Sequence, residues 1–357
     1  MSQLKILQIT KSLANGGAEK FLVELSNNLS INNTVVICTI EPNEPWMIPP
    51  MQIKNSTQVV LKKYHKLNPL NIWQFVKLFR DQKPNVVHVH ALLLFNYVFI
   101  ASLFFKNIKF VHTIHNDITP AYKKVYKKIV ALNIFAKYWS HVCISKEINQ
   151  NFKENFSVLN FTTIDNGIIP LAGNRQIKNN NKLNLLCIGN YSDFKRFDLA
   201  AEVADKLNNN GIKTELTIVG EDRTPGRVNW QKISSKNYAH VYQVGSKSNV
   251  SEFLCICDAL LLTSSMEGMP LIILEAMSLG VPIISTPVGG IPSLVQDGIN
   301  GTLSESIQLE AIYDAVCRFN SFNDEQKEHI AKNNVTKFNE KFHMRICAHN
   351  YLQLFNQ

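Results

Sequence analysis

The sequence has no apolar stretch long enough to cross a membrane as a helix. Its longest uncharged apolar run, Leu92–Phe105, has 14 residues and includes Asn96 and Ser102, whereas a span needs about 20. The opening Met1-Ser2-Gln3-Leu4-Lys5 leads straight into a short apolar segment and shows no basic, apolar and cleavage regions in series, so no secretory leader is expected. Cysteine is sparse: seven residues, an odd number, scattered mostly inside apolar runs. That reads as reduced core thiols in a cytoplasmic protein, and Cys255 and Cys257 lack the spacing of a zinc or redox pair. His-Glu-x-x-His, Gly-x-Ser-x-Gly, the Gly-Lys-Ser/Thr ending of a Walker loop and Asp-x-Asp are all missing, which removes the common zinc-protease, serine-hydrolase and P-loop readings. Charged residues make up only 18% against 45% hydrophobic, the balance of a folded globular chain.

What is present is uneven in charge and regular in pattern. Residues 1–170 hold 19 Lys and Arg against 9 Asp and Glu, while the remainder holds 18 against 19. One basic half suggests a surface that meets something anionic, nucleic acid or phospholipid headgroups, or simply a lysine-rich solvated face. No aromatic-basic recognition motif accompanies the charge, so nucleic acid is not an expected partner. Short apolar runs alternate with amphipathic stretches throughout. The first half offers strands at Leu4–Ile9, Val35–Ile40, Val59–Leu61, Val86–Val89, Lys109–Ile114 and His141–Ile144, with helices such as Glu19–Leu29 and Asn71–Arg80 between them. The second offers Asn184–Ile188, Glu215–Val219, Val241–Val244, Ala259–Leu262 and Pro282–Ser285. This alternation predicts parallel sheets covered by helices. The expected organisation is a Rossmann-like domain over 1–170, a linker over 171–182 containing Asn179-Asn180-Asn181, and a second Rossmann-like domain over 183–335. A terminal helix, 336–357, is expected to cross back to the first domain. Two doubly wound domains facing across a cleft would bind ligands at the carboxyl ends of their strands.

The densest chemistry lies between Thr263 and Gly301. Thr263-Ser264-Ser265-Met266 follows an apolar strand, and Glu267-Gly268-Met269-Pro270-Leu271-Ile272-Ile273-Leu274-Glu275 runs into a helix. Free N–H groups at that helix start, from about Met269 to Ile272, suit a diphosphate. Two carboxylates bracketing such a site make sense if they accept hydrogen bonds from sugar hydroxyls. A capping or macrodipole role for Glu267 is the plainer alternative.

The Glu267-to-Glu275 spacing, with Gly-Met-Pro inside it, resembles the E-x7-E signature of retaining, nucleotide-sugar-dependent glycosyltransferases of the GT-B fold, family four. The Glu-Gly-Met-Pro form is similar to members that assemble bacterial surface polysaccharide, lipopolysaccharide or glycolipid. The resemblance implies that Glu267 contacts the donor sugar near the reacting centre and that Glu275 binds ribose hydroxyls. It also implies that the backbone of Gly268, Met269, Pro270 and Leu271 holds the sugar and diphosphate. A second landmark, Gly189-Asn190-Tyr191-Ser192-Asp193-Phe194-Lys195-Arg196, resembles the loop whose arginine and lysine grip the diphosphate. Lys195 is kept, Asn190 stands where the arginine is usual, and Arg196 supplies a second charge if its side chain turns inward. A third, Asn15-Gly16-Gly17-Ala18-Glu19, resembles the family's Gly-Gly loop, with Gly17 at the donor phosphate; taken alone it is a plain turn. The fourth is Val111-His112-Thr113-Ile114-His115. Alternation points Thr113 and His115 one way and His112 and Ile114 the other; by resemblance His115 contacts the donor sugar. His88 and His90 share a strand face, as core histidines or acceptor-site residues.

The resemblance implies transfer of a hexosyl or N-acetylhexosaminyl group from a nucleoside diphosphate sugar, UDP-sugars favoured, to a hydroxyl of a glycan or lipid-linked acceptor. No metal or other cofactor is expected: two cations at the diphosphate offset the leaving charge. A non-catalytic sugar-nucleotide-binding subunit and a GT-B-fold epimerase are the alternatives. Within Ala121–Ser140, Lys123/Lys127 and Lys124/Lys128 repeat at helical spacing beside an apolar stripe of Tyr122, Val125, Tyr126, Ile129 and Val130. A basic amphipathic helix of this kind either lies on an anionic membrane at the inner face or turns its stripe to the core. Leu92–Phe105 reads as a buried helix.

Overall fold

The structure, a computed structural model, describes residues 3–13, 16–41, 53–62, 68–115, 120–131, 138–157, 159–176, 181–221, 233, 236 and 238–357. The chain forms two compact units, Met1–Ile169 together with His343–Gln357, and Pro170–Phe342.

The first unit is built on a seven-stranded sheet: β1 (Lys5–Ile9), β2 (Thr34–Thr39), β3 (Ser56–Val60), β4 (Val86–Val89), β5 (Lys109–Ile114), β6 (Trp139–Cys143) and β7 (Phe161–Thr163), in the order β3-β2-β1-β4-β5-β6-β7. Every pairing is parallel. The strands at its centre are buried on both faces, which is why they read as unbroken apolar runs: Ile6, Leu7, Val87, Val89, Val111 and Ile114 are fully enclosed. The connecting helices are α1 (Gly17–Leu29), α2 (Leu70–Gln82), α3 (Leu92–Ser102), α4 (Pro120–Ala131) and α5 (Lys146–Asn155). Ser145 caps α5 by accepting the Ile148 N–H at 3.3 Å, satisfying one of the donors a helix start leaves open.

The second unit repeats the plan with β8 (Leu183–Ile188), β9 (Thr214–Val219), β10 (Val241–Gln243), β11 (Ala259–Leu262), β12 (Ile283–Ser285) and β13 (Gly301–Leu303), ordered β10-β9-β8-β11-β12-β13 and again all parallel. Among the described residues its helices are α6 (Phe197–Asn209), α7 (Val250–Ile256), α8 (Leu271–Ser278), α9 (Ile291–Leu294), α10 (Leu309–Asn320) and α11 (Asp324–Lys337), the last opened by an Asn323–Gln326 capping box. A π-turn over Phe338–Phe342 follows, and then α12 (Met344–Phe355), which packs on α1 in the first unit.

Three expectations change. The stretch 171–182 is no free linker. Leu171 N–H donates to Ser278 Oγ at 3.2 Å, Gln176 N–H to the Cys255 carbonyl at 2.6 Å, and Arg175 reaches the Asp258 and Gly280 carbonyls. Residues 170–176 are thus part of the second unit, and 177–180 lie outside the described residues. The crossing segment begins at His343 and not at 336, because Phe338 and Phe342 are buried in the second unit. The apolar run Leu92–Phe105 is not buried all round: Leu94, Phe95, Val98 and Phe99 face the core, while Leu93, Ile100, Leu103 and Phe104 are exposed.

Of the stripe on α4, Tyr122 and Tyr126 turn to the core and Val125 is half-buried. Tyr122 and Tyr126 are buried against Phe152, Phe156 and Phe161, while Lys123, Lys124 and Lys127 stay exposed. The side chains of Lys128, Ile129 and Val130, and residues 132–137, lie outside the described residues. All seven cysteines are free, and six of them are buried. No described helix is long and apolar enough to cross a membrane.

Candidate functional site

In a doubly wound sheet, connections leave in opposite directions on either side of the first strand. The crevice between the loops that follow the two central strands is where ligands bind. In the second unit those strands are β8 and β11, which pair as Ala259–Leu185 and Leu260–Leu186. Their following loops carry Lys195 and Glu267, so residues 72 positions apart meet by topology alone. Lys195 Nζ lies 2.6 Å from Glu267 Oε1, with the two side chains 23% and 10% exposed. The same Oε1 accepts Ser264 Oγ–H at 2.6 Å. Oε2 has no partner among the described residues, so the carboxylate is held by one oxygen and offers the other.

The surrounding backbone holds this pair in place. Thr263 Oγ1 donates to the Lys195 and Arg196 carbonyls at 3.0 and 2.8 Å, and Ser265 N–H to the Phe194 carbonyl at 2.8 Å. Thr286 Oγ1 donates to the Ser264 carbonyl at 2.7 Å, and Gly290 N–H to the Gly268 carbonyl at 2.8 Å. Gly289 sits at φ +57°, and a Cβ there would stand 1.8 Å from the Glu267 carbonyl oxygen. Only glycine allows the β12 loop to come this close.

Beyond Glu267 the chain enters α8, with Pro270 as its cap. Pro270 accepts the Ile273 N–H at 3.1 Å and has no N–H of its own, so the expected run of donors from Met269 to Ile272 is broken at Pro270. The first-turn donors of the helix proper are Leu271 and Ile272. Glu275, in the middle of α8, is buried at 6% exposure. Asn190 is exposed. Arg196 does not turn towards Glu267: its backbone is left-handed (φ 49°) and Nη1 donates to the Ile307 carbonyl at 3.1 Å. Lys195 is therefore the cation that joins the carboxylate.

The first unit has its own switch point between β1 and β4, and it is occupied by histidines. His90, just after β4, joins His115 beyond β5 (Nδ1–Nε2 3.0 Å) and Gln8 of β1 (Nε2–Oε1 2.8 Å). Beneath them His88 Nε2 bonds Thr113 Oγ1 at 2.7 Å, and Thr113 bonds Tyr351 of α12 at 2.8 Å. Thr113 and His115 thus share one face, as alternation requires, while His112 turns to the other and meets Tyr126 Oη at 2.8 Å. Burial drives the charged form out of all of these rings. His115 is pushed down to about 4, and His88, His90 and His112 are held well below the ordinary 6.5. They are neutral hydrogen-bonding groups at neutral pH. Gly16 caps α1 and Gly17 is its first residue; Asn15, Asn116 and Asp117 lie outside the described residues. Among the described residues no group of three or more His, Cys, Asp or Glu is placed to hold a metal ion.

Ser264, Thr286 and Gln8 belong to no motif in the sequence. The signals are in the sequence: hydroxyl residues within two positions of the strand ends at Leu262 and Ser285, and a single glutamine among the apolar residues that follow Lys5 in β1.

Fold and sites together define a protein of two Rossmann-like units, each with a polar cluster at its switch point. Two family models match it: Glycosyltransferase Family 4 over residues 15–170 and Glycosyl transferases group 1 over residues 173–337. Between them they take in nearly the whole chain, which belongs to this group 1, family-four type of glycosyltransferase and has its GT-B architecture.

Two relatives illustrate the likeness. The chain is 24% identical over 212 residues to an uncharacterised glycosyltransferase of Methanocaldococcus jannaschii, covering 58% of this chain and 56% of that one. It is 25% identical over 209 residues to an amylovoran biosynthesis glycosyltransferase of Erwinia amylovora, covering 55% and 49%. The chain spans about half the length of these curated relatives. Among solved structures, a glycosyltransferase from Rickettsia africae superposes with TM-score 0.81 at 18% identity, over 99% of this chain and 98% of that one. An Anabaena protein in complex with UDP and glucose gives 0.80 at 16%, over 99% and 100%.

Proposed function

We propose that this protein transfers a hexosyl or N-acetylhexosaminyl group from a nucleoside diphosphate sugar, a UDP-sugar by family preference, to a hydroxyl of a lipid-linked glycan acceptor. The transfer retains anomeric configuration and serves bacterial surface polysaccharide, lipopolysaccharide or glycolipid assembly. The work is done in the cytoplasm, at the inner face of the membrane. The observation that carries this reading is the Lys195–Glu267 pair, 2.6 Å apart at the switch point of the second unit, with Glu267 opening the Glu267-to-Glu275 spacing. The Anabaena neighbour that holds UDP and glucose supports the donor class.

In this reading the diphosphate lies against the first turn of α8, where Leu271 and Ile272 supply N–H groups and Lys195 supplies a full positive charge. Glu275 takes the ribose hydroxyls. The outward oxygen of Glu267 accepts hydroxyls of the sugar, and the family resemblance gives His115 a donor-sugar contact as well. The bond from the anomeric carbon to the phosphate oxygen breaks, the acceptor oxygen bonds on the same face, and its proton passes to the departing phosphate. Charge on that leaving group grows as the bond breaks, so Lys195 contributes most in the transition state. No metal is assigned a role.

A thermal-shift screen of nucleoside diphosphate sugars selects the donor. Incubation of that donor with a lipid-linked glycan acceptor then tests transfer. Release of nucleoside diphosphate that depends on the acceptor, and is lost in Lys195→Ala and Glu267→Ala, is expected. Alteration of free donor without acceptor identifies an epimerase, and binding without turnover a non-catalytic subunit; either result overturns the proposal.

A further inference from the structure

The face formed by α2 and α3 in the first unit carries an apolar surface with no function assigned to it. A helix that is apolar all round is ordinarily enclosed, and α3 has no charged residue. Yet Leu93, Ile100 and, just past its end, Leu103 and Phe104 are exposed at 60, 42, 42 and 55%. They follow helical spacing along the outer side, with Asn96 beside them. Across the seam on α2, Leu70 and Trp73 are 48 and 53% exposed, and Trp73 packs its ring on Phe104 with centroids 5.9 Å apart. Six large apolar side chains thus form one outward-facing strip, the kind of surface that marks an interaction site.

The strip is bordered by cations. Arg80, Lys83 and Lys106 are exposed and have no ion-pair partner among the described residues, and Lys77 is matched only by Asp81 on its own helix. The half of the chain that contains the strip has an excess of ten positive charges over residues 1–170. Apolar and aromatic side chains at the centre with lysine and arginine at the edge are the chemistry of interfacial attachment to an anionic bilayer.

We propose that the α2–α3 face, with Trp73, Ile100 and Phe104 at its centre, docks the protein on an anionic phospholipid surface. The basic helix α4 does not provide the insertion surface, because Tyr122 and Tyr126 are turned into the core; its lysines add only long-range attraction. The inference deepens the proposed reading, since it brings the chain to where a lipid-linked acceptor resides, but its test is independent of turnover.

The test is co-sedimentation of the full chain with vesicles of phosphatidylglycerol and phosphatidylcholine at low salt. The wild type is expected to sediment with them, less so as salt rises, and weakly with phosphatidylcholine alone. The triple variant Trp73→Ser, Ile100→Ser, Phe104→Ser is expected to bind about a hundredfold more weakly, the size of effect that three half-exposed apolar side chains leaving the interface would have. Its melting temperature and its donor-induced thermal shift should match the wild type, which separates failure of this surface from failure of the sugar-nucleotide site. Absence of wild-type binding, or equal binding by the triple variant, overturns the proposal. So does loss of binding in Lys123→Gln, Lys124→Gln, Lys127→Gln with none in the triple variant. Concentration-dependent dimerisation abolished by the triple substitution, without vesicle binding, would assign the face to a second copy of this chain instead.

Discussion

Lys195 and Glu267 can be broken singly and together, as Lys195→Met, Glu267→Gln and the double variant. At 2.6 Å two unit charges attract by roughly 6 kcal/mol at an effective dielectric constant of about 20. Both side chains are mostly enclosed, so stripping water from them offsets a large part of that. A charge-assisted hydrogen bond of this kind nets about 1.5–3 kcal/mol. Lys195→Met leaves the Glu267 carboxylate with only the Ser264 hydroxyl at 2.6 Å, so a loss of about 2–3 kcal/mol is expected. In a unit of this size that lowers the melting temperature by roughly 5–10 °C. Glu267→Gln keeps an oxygen for both partners and should lose about 1 kcal/mol. The double variant should be more stable than the sum of the two losses predicts, because Lys195→Met no longer strands a charge. Turnover behaves differently: each single variant and the double should fall by a similar factor, of order a thousand, as residues that act as one unit do. Urea unfolding gives the stability cycle and acceptor-dependent release of nucleoside diphosphate gives the rates. Strictly additive stability losses would show that the pair does not form in solution, and near-normal turnover in either single variant would refute its role.

Gly289→Ala should destabilise the second unit by at least about 2 kcal/mol, since φ is +57° and the new Cβ would meet backbone, the Glu267 carbonyl oxygen, at 1.8 Å; urea unfolding and turnover should fall together. Tyr126→Phe removes the hydroxyl that bonds His112 at 2.8 Å and His141 at 3.1 Å, and should lose about 1–3 kcal/mol. Its donor-induced thermal shift should be unchanged, because that cluster lies on the opposite face of β5 from His115. Acid should loosen the first unit selectively. Burial lowers the folded-state values of His115 to about 4, His141 to about 3, and His88, His90 and His112 well below 6.5. Below about pH 6.5 the unfolded chain therefore binds protons that the folded unit refuses. Stability is complete above that pH and is lost as it falls towards 4. Amide exchange at pH 5 against pH 7 should show faster opening in β1, β4 and β5 than in β8 and β11; equal protection at both would refute it.

Much of the scaffold could be read because parallel sheets buried on both sides demand apolar strands. Val86–Val89, Lys109–Ile114 and Ala259–Leu262 are placed to the residue by that pattern, and most other strands to within one or two. The misses are Phe161–Thr163 and Gly301–Leu303, three-residue strands at sheet edges. An edge strand is paired on one side only and need not be apolar along its length, and Phe-Thr-Thr and Gly-Thr-Leu hold too few apolar residues to stand out as runs. Glu267 and Lys195 were legible as a motif and a loop, but not as a bonded pair. Nothing local records a contact across 72 residues; it follows from β8 and β11 lying side by side, which is a property of the winding order. Arg196 shows the converse. Its charge and position fitted the diphosphate grip, yet a left-handed backbone at φ 49° sends its guanidinium to the Ile307 carbonyl, and no composition argument contains a backbone angle.

The run Leu92–Phe105 carries the most instructive difference. Hydropathy sums a helix over all its faces, whereas burial is decided face by face. On that measure α3 belongs inside, and half of it is: Phe95 is fully buried against Trp139 and His112. The sheet supports only one side, however, and α2 meets it along a second, which leaves Leu93, Ile100, Leu103 and Phe104 exposed, with Trp73 against Phe104 as their one ring contact among the described residues. A polar outer face would have served stability and solubility equally well, since surface substitutions away from special features change stability by no more than about 0.5 kcal/mol. The fold therefore places no demand for apolar residues on that side. A strip of six such side chains, exposed and bordered by unpaired cations, is better accounted for by what it touches than by what it packs against. The reactive cluster around Lys195 and Glu267 and the strip around Trp73 lie in different units and answer to different measurements, so each reading can fail without the other.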